Sequence, residues 1–215
     1  MQLPFTFDQF LAVFEKYNLA IYPMQIVAYI LGISAMVLSC LKLRGSARII
    51  NAVLSFFWLW MGAVYHLVYF SPINRAAYVF GVIFIVQGFL FLWYGVAKSR
   101  LTFQLEPNAF SVIGAVLIVY ALVIYPVIGG VLGHGYPNSP GFGVAPCPTT
   151  IFTFGLLLWT TRKIPVPILI IPFLWSLVGF SAALSLGIRE DFGLPVAGIL
   201  GIILIPIHNK RLPRR

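Results

Sequence analysis

The sequence predicts an all-α polytopic membrane bundle of seven transmembrane helices, with the N-terminus outside and the C-terminus cytoplasmic. Three observations carry this reading. The 215 residues are 60% hydrophobic and only 9% charged, with mean hydropathy +0.98, whereas a soluble domain holds about 45–50% apolar and about 25% charged residues. Seven apolar segments divide the chain, and the lysines and arginines gather on alternate connections between them. Residues 1–215 therefore read as a single integral membrane domain, with an outer interfacial helix (1–19), a seven-helix bundle (20–208) and a basic cytoplasmic tail (209–215).

The apolar segments run from Ile21 to Leu43, Ile49 to Phe70, Ala77 to Ala97, Phe110 to Gly133, Thr149 to Thr161, Val166 to Leu186 and Phe192 to His208. A helical span needs about 20 apolar residues at about 1.5 Å each, so the first four and the sixth are long enough to cross alone. The fifth and seventh are short. Met1 to Asn18 carry no basic n-region and no small-residue cleavage site, so no cleavable signal peptide is expected.

Charge tests the count independently. Lys42, Arg44 and Arg48 lie between segments one and two, Lys98 and Arg100 between three and four, Arg162 and Lys163 between five and six, and Lys210, Arg211, Arg214 and Arg215 at the end. These make eleven of the fourteen basic residues; Lys16, Arg75 and Arg189 fall on the other side. Lys and Arg accumulate in cytoplasmic loops, which sets the orientation and requires an odd number of crossings. Asp8, Glu15, Glu190 and Asp191 lie outside and only Glu106 inside. The net charge of +9 is thus a topology signal and a contact for anionic lipid at the cytoplasmic face, and it implies no nucleic-acid partner.

Ahead of the first span, the large apolar residues from Phe5 to Tyr17 recur near helical spacing, and Thr6 and Gln9 stand three apart as in a capping box. Two placements fit: an amphipathic helix lying on the outer membrane surface, or a helix packed over the mouth of the bundle. An internal repeat can also be aligned. Residues Ala20 to Tyr29 lie over Ala145 to Phe154, Trp60 over Trp175, and Ser71 to Tyr78 over Ser185 to Phe192. Segments one to three would then recur as five to seven, a three-plus-one-plus-three parallel arrangement.

The connection from Gly133 to Thr150 has no charge and is crowded with Gly, Pro and aromatics. Such a loop is expected to fold back into the outer bilayer under the cover of neighbouring helices. Pro148 suits the first helical position, leaving Cys147 near the N-cap and the N–H groups of Thr149 and Thr150 facing an outer cavity that favours an anion, a carbonyl or a thiolate. The plainer reading is that these threonines satisfy nearby carbonyls and Cys147 is a small buried apolar residue.

The segment Trp58 to His66, then Phe70-Ser71-Pro72-Ile73-Asn74, then His134-Gly135-Tyr136-Pro137, and above all Pro146-Cys147-Pro148-Thr149-Thr150-Ile151-Phe152-Thr153-Phe154-Gly155 resemble a family of bacterial integral membrane proteins known only as a domain of unknown function. The resemblance covers nearly the whole chain. It implies a multi-pass protein of the bacterial inner membrane, and it carries no activity and no functional residue onto this sequence.

Polar residues of the outer half are the candidate site: Gln25, His66, Tyr125, His134, Tyr136, Cys147, Thr149 and Thr150, with Glu190 or Asp191 at the rim. Polar side chains at membrane depth tend to face the bundle interior and mark a pathway. His66, His134 and Cys147 are the candidates for a soft metal ion. No cofactor motif is present. Lys210 lies beyond the last span, which excludes a retinal Schiff base there, and the three histidines fall at different depths, against a zinc-dependent membrane hydrolase. Three classes remain: a transporter or channel for a small polar solute or ion; a membrane thiol enzyme or metal-binding protein using Cys147; and a non-catalytic scaffold, whose packing face would be Gly81, Gly88 and Gly95 at seven-residue spacing. The first is favoured because broken helices are costly in lipid and tend to surround a cavity.

Overall fold

The computed structural model describes residues 3–41 and 43–212. Lys42, Arg214 and Arg215, which enter the charge count, lie outside the described residues. Among the described residues the chain forms eight helices and no strand, with one isolated bridge between Phe103 and Thr160. The helices are α1 (Phe7–Ala20), α2 (Met24–Leu41), α3 (Ser46–Phe70), α4 (Ala77–Ala97), α5 (Ala109–Val131), α6 (Pro146–Leu157), α7 (Pro167–Leu186) and α8 (Gly193–Arg211), with a 3₁₀ turn at Arg189–Phe192 leading into α8.

Six of these are long and apolar enough to cross a membrane: α2, α3, α4, α5, α7 and the continuous stretch Arg189–Arg211. The last segment is longer than expected, because the 3₁₀ turn and the basic residues to Arg211 extend the helix to 23 residues. The fifth segment is short, as its sequence implies: α6 has 12 residues. It stops where Trp159 and Thr161 turn aside to bond the chain at 102–104, with Gln104 N donating to Trp159 O and Thr161 N to Thr102 O. The seven segments thus become six helices of spanning length around one that is too short to span by itself.

α6 is the centre of the bundle. All twelve of its residues are buried, and it packs against α3, α5, α7 and α8. The irregular chain on either side is buried too, with Phe142, Val144 and Ala145 before it and Leu158, Trp159 and Thr160 after it. Irregular backbone at such depth is tolerated only where protein covers it and satisfies its polar groups. Here Gly143 N donates to Thr149 Oγ1, Thr149 Oγ1 donates to Ala145 O, and Ala145 N donates to Gly141 O. Gly143 has φ +74°, and a Cβ there would come 2.6 Å from Ala28 Cβ, so this turn admits only glycine.

α1 packs over one end of the bundle, chiefly on α3. Its capping box is formed: Gln9 N donates to Thr6 Oγ1 and Thr6 N to Gln9 Oε1. Phe14 stacks on Tyr65 at 5.3 Å and Tyr17 meets Tyr69 edge-on at 5.1 Å. Tyr17 Oη donates to Val144 O and accepts from Trp60 Nε1, and Asn18 Nδ2 donates to Pro137 O and Ser139 O. Burial pushes the Tyr17 hydroxyl ionisation up, against the lowering effect of the Trp60 hydrogen bond. α1 therefore clamps the 137–144 loop against α3.

The glycine stripe of α4 packs as expected, but within the chain. A Cβ on Gly62 would come 2.7 Å from Gly81 O, and Ser55 Oγ donates to Gly88 O at 2.8 Å. The two backbones approach most closely where Gly62 faces Gly81, and Leu59 and Leu67 of α3 fill the space over Gly88 and Gly81. α3 is π-helical over Met61–Phe70, which ends with Ser71 N donating to His66 O, and α4 and α5 carry π segments at Phe91–Ala97 and Tyr120–Ile124. Such widenings often accompany functional sites.

Most basic residues among those described gather at one end, with Lys16, Arg75 and Arg189 the exceptions. Arg162 Nη1 donates to Ser99 O, Arg211 lies over the Phe110 ring, Asn51 Nδ2 donates to Leu101 O, and Leu105 N donates to Ser39 O. These contacts bring the α2–α3 turn, residues 98–110, residues 158–164 and the end of α8 together, opposite to α1. We call the two poles the basic end and the α1 end. The aligned repeat is not reflected in the packing. α2 lies on the periphery with four buried residues and packs chiefly on α3, whereas its counterpart α6 is enclosed on all sides.

Candidate functional site

At the α1 end a polar cluster is built around the turn that feeds α8. Gly187, with φ +74°, terminates α7, Ile188 crosses over as extended chain, and the 3₁₀ turn Arg189–Phe192 then points two carboxylates inward while Arg189 stays exposed. Glu190 is 0% and Asp191 3% exposed. Glu190 Oε1 lies 2.7 Å from His134 Nε2, while Glu190 Oε2 has no hydrogen-bond partner. The Glu190 carbonyl accepts from Tyr120 Oη at 2.7 Å, and Asp191 Oδ1 accepts from Tyr125 Oη at 2.5 Å.

The thiol of Cys147, one residue into α6, completes the cluster beside Asp191 and Trp175. Gly179 lies alongside: a Cβ there would be in ordinary contact, 3.6 Å, with both Cys147 Sγ and Trp175 Nε1, and would clash with Leu194 Cδ2 at 2.5 Å. His134 is fixed from its own loop, its N–H bonded to Gly129 O, and the Phe7 ring of α1 meets its imidazole edge-on at 5.9 Å. His134–Glu190 is the single contact between a basic and an acidic side chain within 4 Å among the described residues. Two buried carboxylates thus share one imidazole and no Lys or Arg. Buried charge of this kind is expensive unless paired or protonated.

Next to this cluster lies an aromatic box. His66, on the π segment of α3, sits 4.6 Å from Phe84, 5.2 Å from Trp175 and 5.8 Å from Phe80 by ring centroid. It is wholly buried and neither ring nitrogen has a partner. Thr150 Oγ1 and Trp175 Nε1 are likewise buried without partners. Unsatisfied buried polar atoms are few in native proteins and mark a strained or working region.

Of the candidates read from the sequence, Tyr125, His134 and Cys147 meet in the cluster. Thr150 lies three residues on from Cys147 along α6, and His66 is a neighbour through Trp175. Three others are elsewhere. Gln25 Nε2 donates to Asn18 O and braces α1, Tyr136 is 59% exposed, and Thr149 is spent on the loop backbone. α6 begins at Pro146 and not at Pro148, so the N–H groups of Thr149 and Thr150 belong to its hydrogen-bond ladder and do not face a cavity. Pro146 and Pro148 have no N–H, which leaves Cys147 as the one free donor among the first three residues. His66, His134 and Cys147 do not assemble into a metal site: among the described residues no three His, Cys, Asp or Glu side chains are grouped to hold an ion. Glu190 and Asp191, expected at the rim, are instead the buried centre. The available signal was an acid pair wedged between two apolar segments with Arg189 as its sole basic neighbour in sequence.

Two surface grooves are separate from this cluster. One of about 490 Å³ lies between α1 and α3 beside Lys16 and Tyr69, and one of about 690 Å³ runs along α5 past Glu106 and Val116. An all-helical bundle with six helices long and apolar enough to cross a membrane, enclosing a short buried helix with paired carboxylates at its start, defines a membrane-compatible helical protein. The sequence model of a family of unknown function, DUF6064, matches residues 7–214, and the chain belongs to that family. No curated protein and no solved structure matches it.

Proposed function

We propose that this chain is a multi-pass protein of the bacterial inner membrane that moves a small polar solute or ion, using the cluster at its α1 end as an outward-facing site. In this reading the irregular flanks of α6 complete a seventh crossing, α1 lies outside, and the basic end is cytoplasmic, where its Lys and Arg meet anionic lipid. The observation that carries the proposal is the burial of Glu190 and Asp191 against the first turn of α6, with His134, Tyr125 and Cys147 around them. Ionisable groups at membrane depth are costly and tend to mark ion or substrate pathways. A purely structural role would be served at lower cost by apolar packing.

A thiol enzyme is not favoured, because Cys147 is buried beside a carboxylate with no cation to support a thiolate. The test is uptake by proteoliposomes holding the full chain, against sugars, amino acids, ammonium and alkali cations. Uptake of one class above empty vesicles, lost in Glu190→Gln and Asp191→Asn, is expected. Uptake equal to that of empty vesicles throughout would leave the scaffold reading in its place.

A further inference from the structure

We propose that the Glu190–Asp191–His134 cluster is a proton-binding site, which loads and releases one proton toward the α1 end as the coupling ion of the transport reading above, on which this inference rests.

The first support is charge. With both carboxylates ionised and His134 neutral the cluster carries two negative charges; with His134 protonated it carries one. No Lys or Arg among the described residues pairs with it. Only one further proton, on the carboxylate pair, makes the cluster neutral, and a net charge so buried is strongly disfavoured. Glu190 Oε2, wholly buried and unpartnered, is a vacant acceptor for that proton. Trp175 Nε1, unpartnered and buried against the Cys147 thiol, lies on the far side of the same cluster.

Size is the second support. The backbone of Gly129 approaches so closely that a Cβ would lie 3.3 Å from Glu190 Oε1, and a Cβ on Gly193 would overlap the Tyr120 ring. A species that exchanges here without opening the bundle is a proton. The third support is the route. His134 is 8% exposed against 0% for Glu190 and 3% for Asp191, so the imidazole is the member nearest solvent, under the Phe7 ring of α1. In the step, Glu190 as the carboxylic acid gives its proton to Nε2 of His134 while Nδ1 of the same ring gives its own proton to water, which leaves a carboxylate and a neutral imidazole; nothing is oxidised or reduced.

The other titratable groups facing the cluster are few. α5 presents Tyr120 and Tyr125, α6 presents Cys147, and α3 presents Tyr65. α7 has no titratable side chain, those of α8 lie at its basic end, and Arg189 of the turn is exposed.

The test is infrared difference spectroscopy of the purified full chain during a pH titration, read at the carbonyl band of a protonated carboxylic acid. A buried carboxylic-acid band is expected that disappears as pH rises, amounts to one proton per chain, and is absent from the Glu190→Gln/Asp191→Asn double variant. Tyr125→Phe, which keeps both acids, should move the band frequency because it removes the hydrogen bond to Asp191. A band that persists at every pH, or a titrating band unchanged in the double variant, would overturn the proposal. The readout needs no solute: vesicles that carry nothing while the band titrates sink the transport reading alone.

Discussion

Tyr125 Oη lies 2.5 Å from Oδ1 of Asp191, so a hydroxyl on α5 is joined to the turn that starts α8 across the bundle interior. The two residues are 66 positions apart and both buried. Tyr125→Phe removes the donor and leaves a carboxylate oxygen without a partner, a loss of about 1–3 kcal/mol. Reversible unfolding of the detergent-solubilised protein should show it, and an unchanged midpoint would mean that Asp191 finds another donor.

His134→Ala strands Glu190 in the interior. Breaking a buried pair from one side costs about 3–5 kcal/mol, because the remaining charge is uncompensated. The double variant His134→Ala/Glu190→Gln should recover part of that loss, since no ion is left behind. A thermal-shift comparison of the two checks this, and a strictly additive result would deny the coupling.

Asn18→Ala deletes both hydrogen bonds from α1 to the carbonyls of Pro137 and Ser139. The loop over α6 should then exchange its amide hydrogens faster, with α4 and α7 unaffected. Hydrogen-exchange mass spectrometry resolves the two regions; uniform acceleration would point to global destabilisation instead.

Gly62→Ala places a methyl 2.7 Å from Gly81 O and 2.9 Å from Ile85 N, where backbone must move. Overpacking of this kind costs about 1–3 kcal/mol. Gly130→Ala, whose Cβ would meet nothing within 4 Å, is the control and should be near neutral. Equal losses in both variants would refute close packing of α3 on α4.

Cys147 is 9% exposed and Cys40 is exposed, both as free thiols. A membrane-permeant maleimide should label Cys40 in the folded protein and reach Cys147 only after denaturation. Prompt labelling of Cys147 from outside would show that the cluster opens to water more readily than its burial implies.

How much of this was legible differs from residue to residue. Thr6 and Gln9 announced their capping box, because a cap is satisfied within four residues and needs no tertiary partner. Gly81 and Gly88 announced a packing face, since seven-residue spacing returns to one side of a helix. Cys147 sits two positions further into the helix than Pro148 as first residue would put it, because two prolines both suit a first turn and only the path of the preceding loop chooses Pro146. The π segment that turns Tyr65 and His66 into the core has no sequence signature, since its extra residue per turn is fixed by the helices packed against it.

The sequence by itself determined the all-helical class, the alternation of charge and the shortness of α6. All three follow from composition and spacing along the chain, which act through local hydrogen bonding and transfer from water. Only the tertiary structure decided that α6 is enclosed and α2 peripheral, and that Glu190 and Asp191 point inward to Tyr125 and His134 while Arg189 points out. An acid beside a span reads as a solvated rim residue until its partners are known. Those partners stand 56 and 66 residues away, and no local preference records which side of a turn they will occupy.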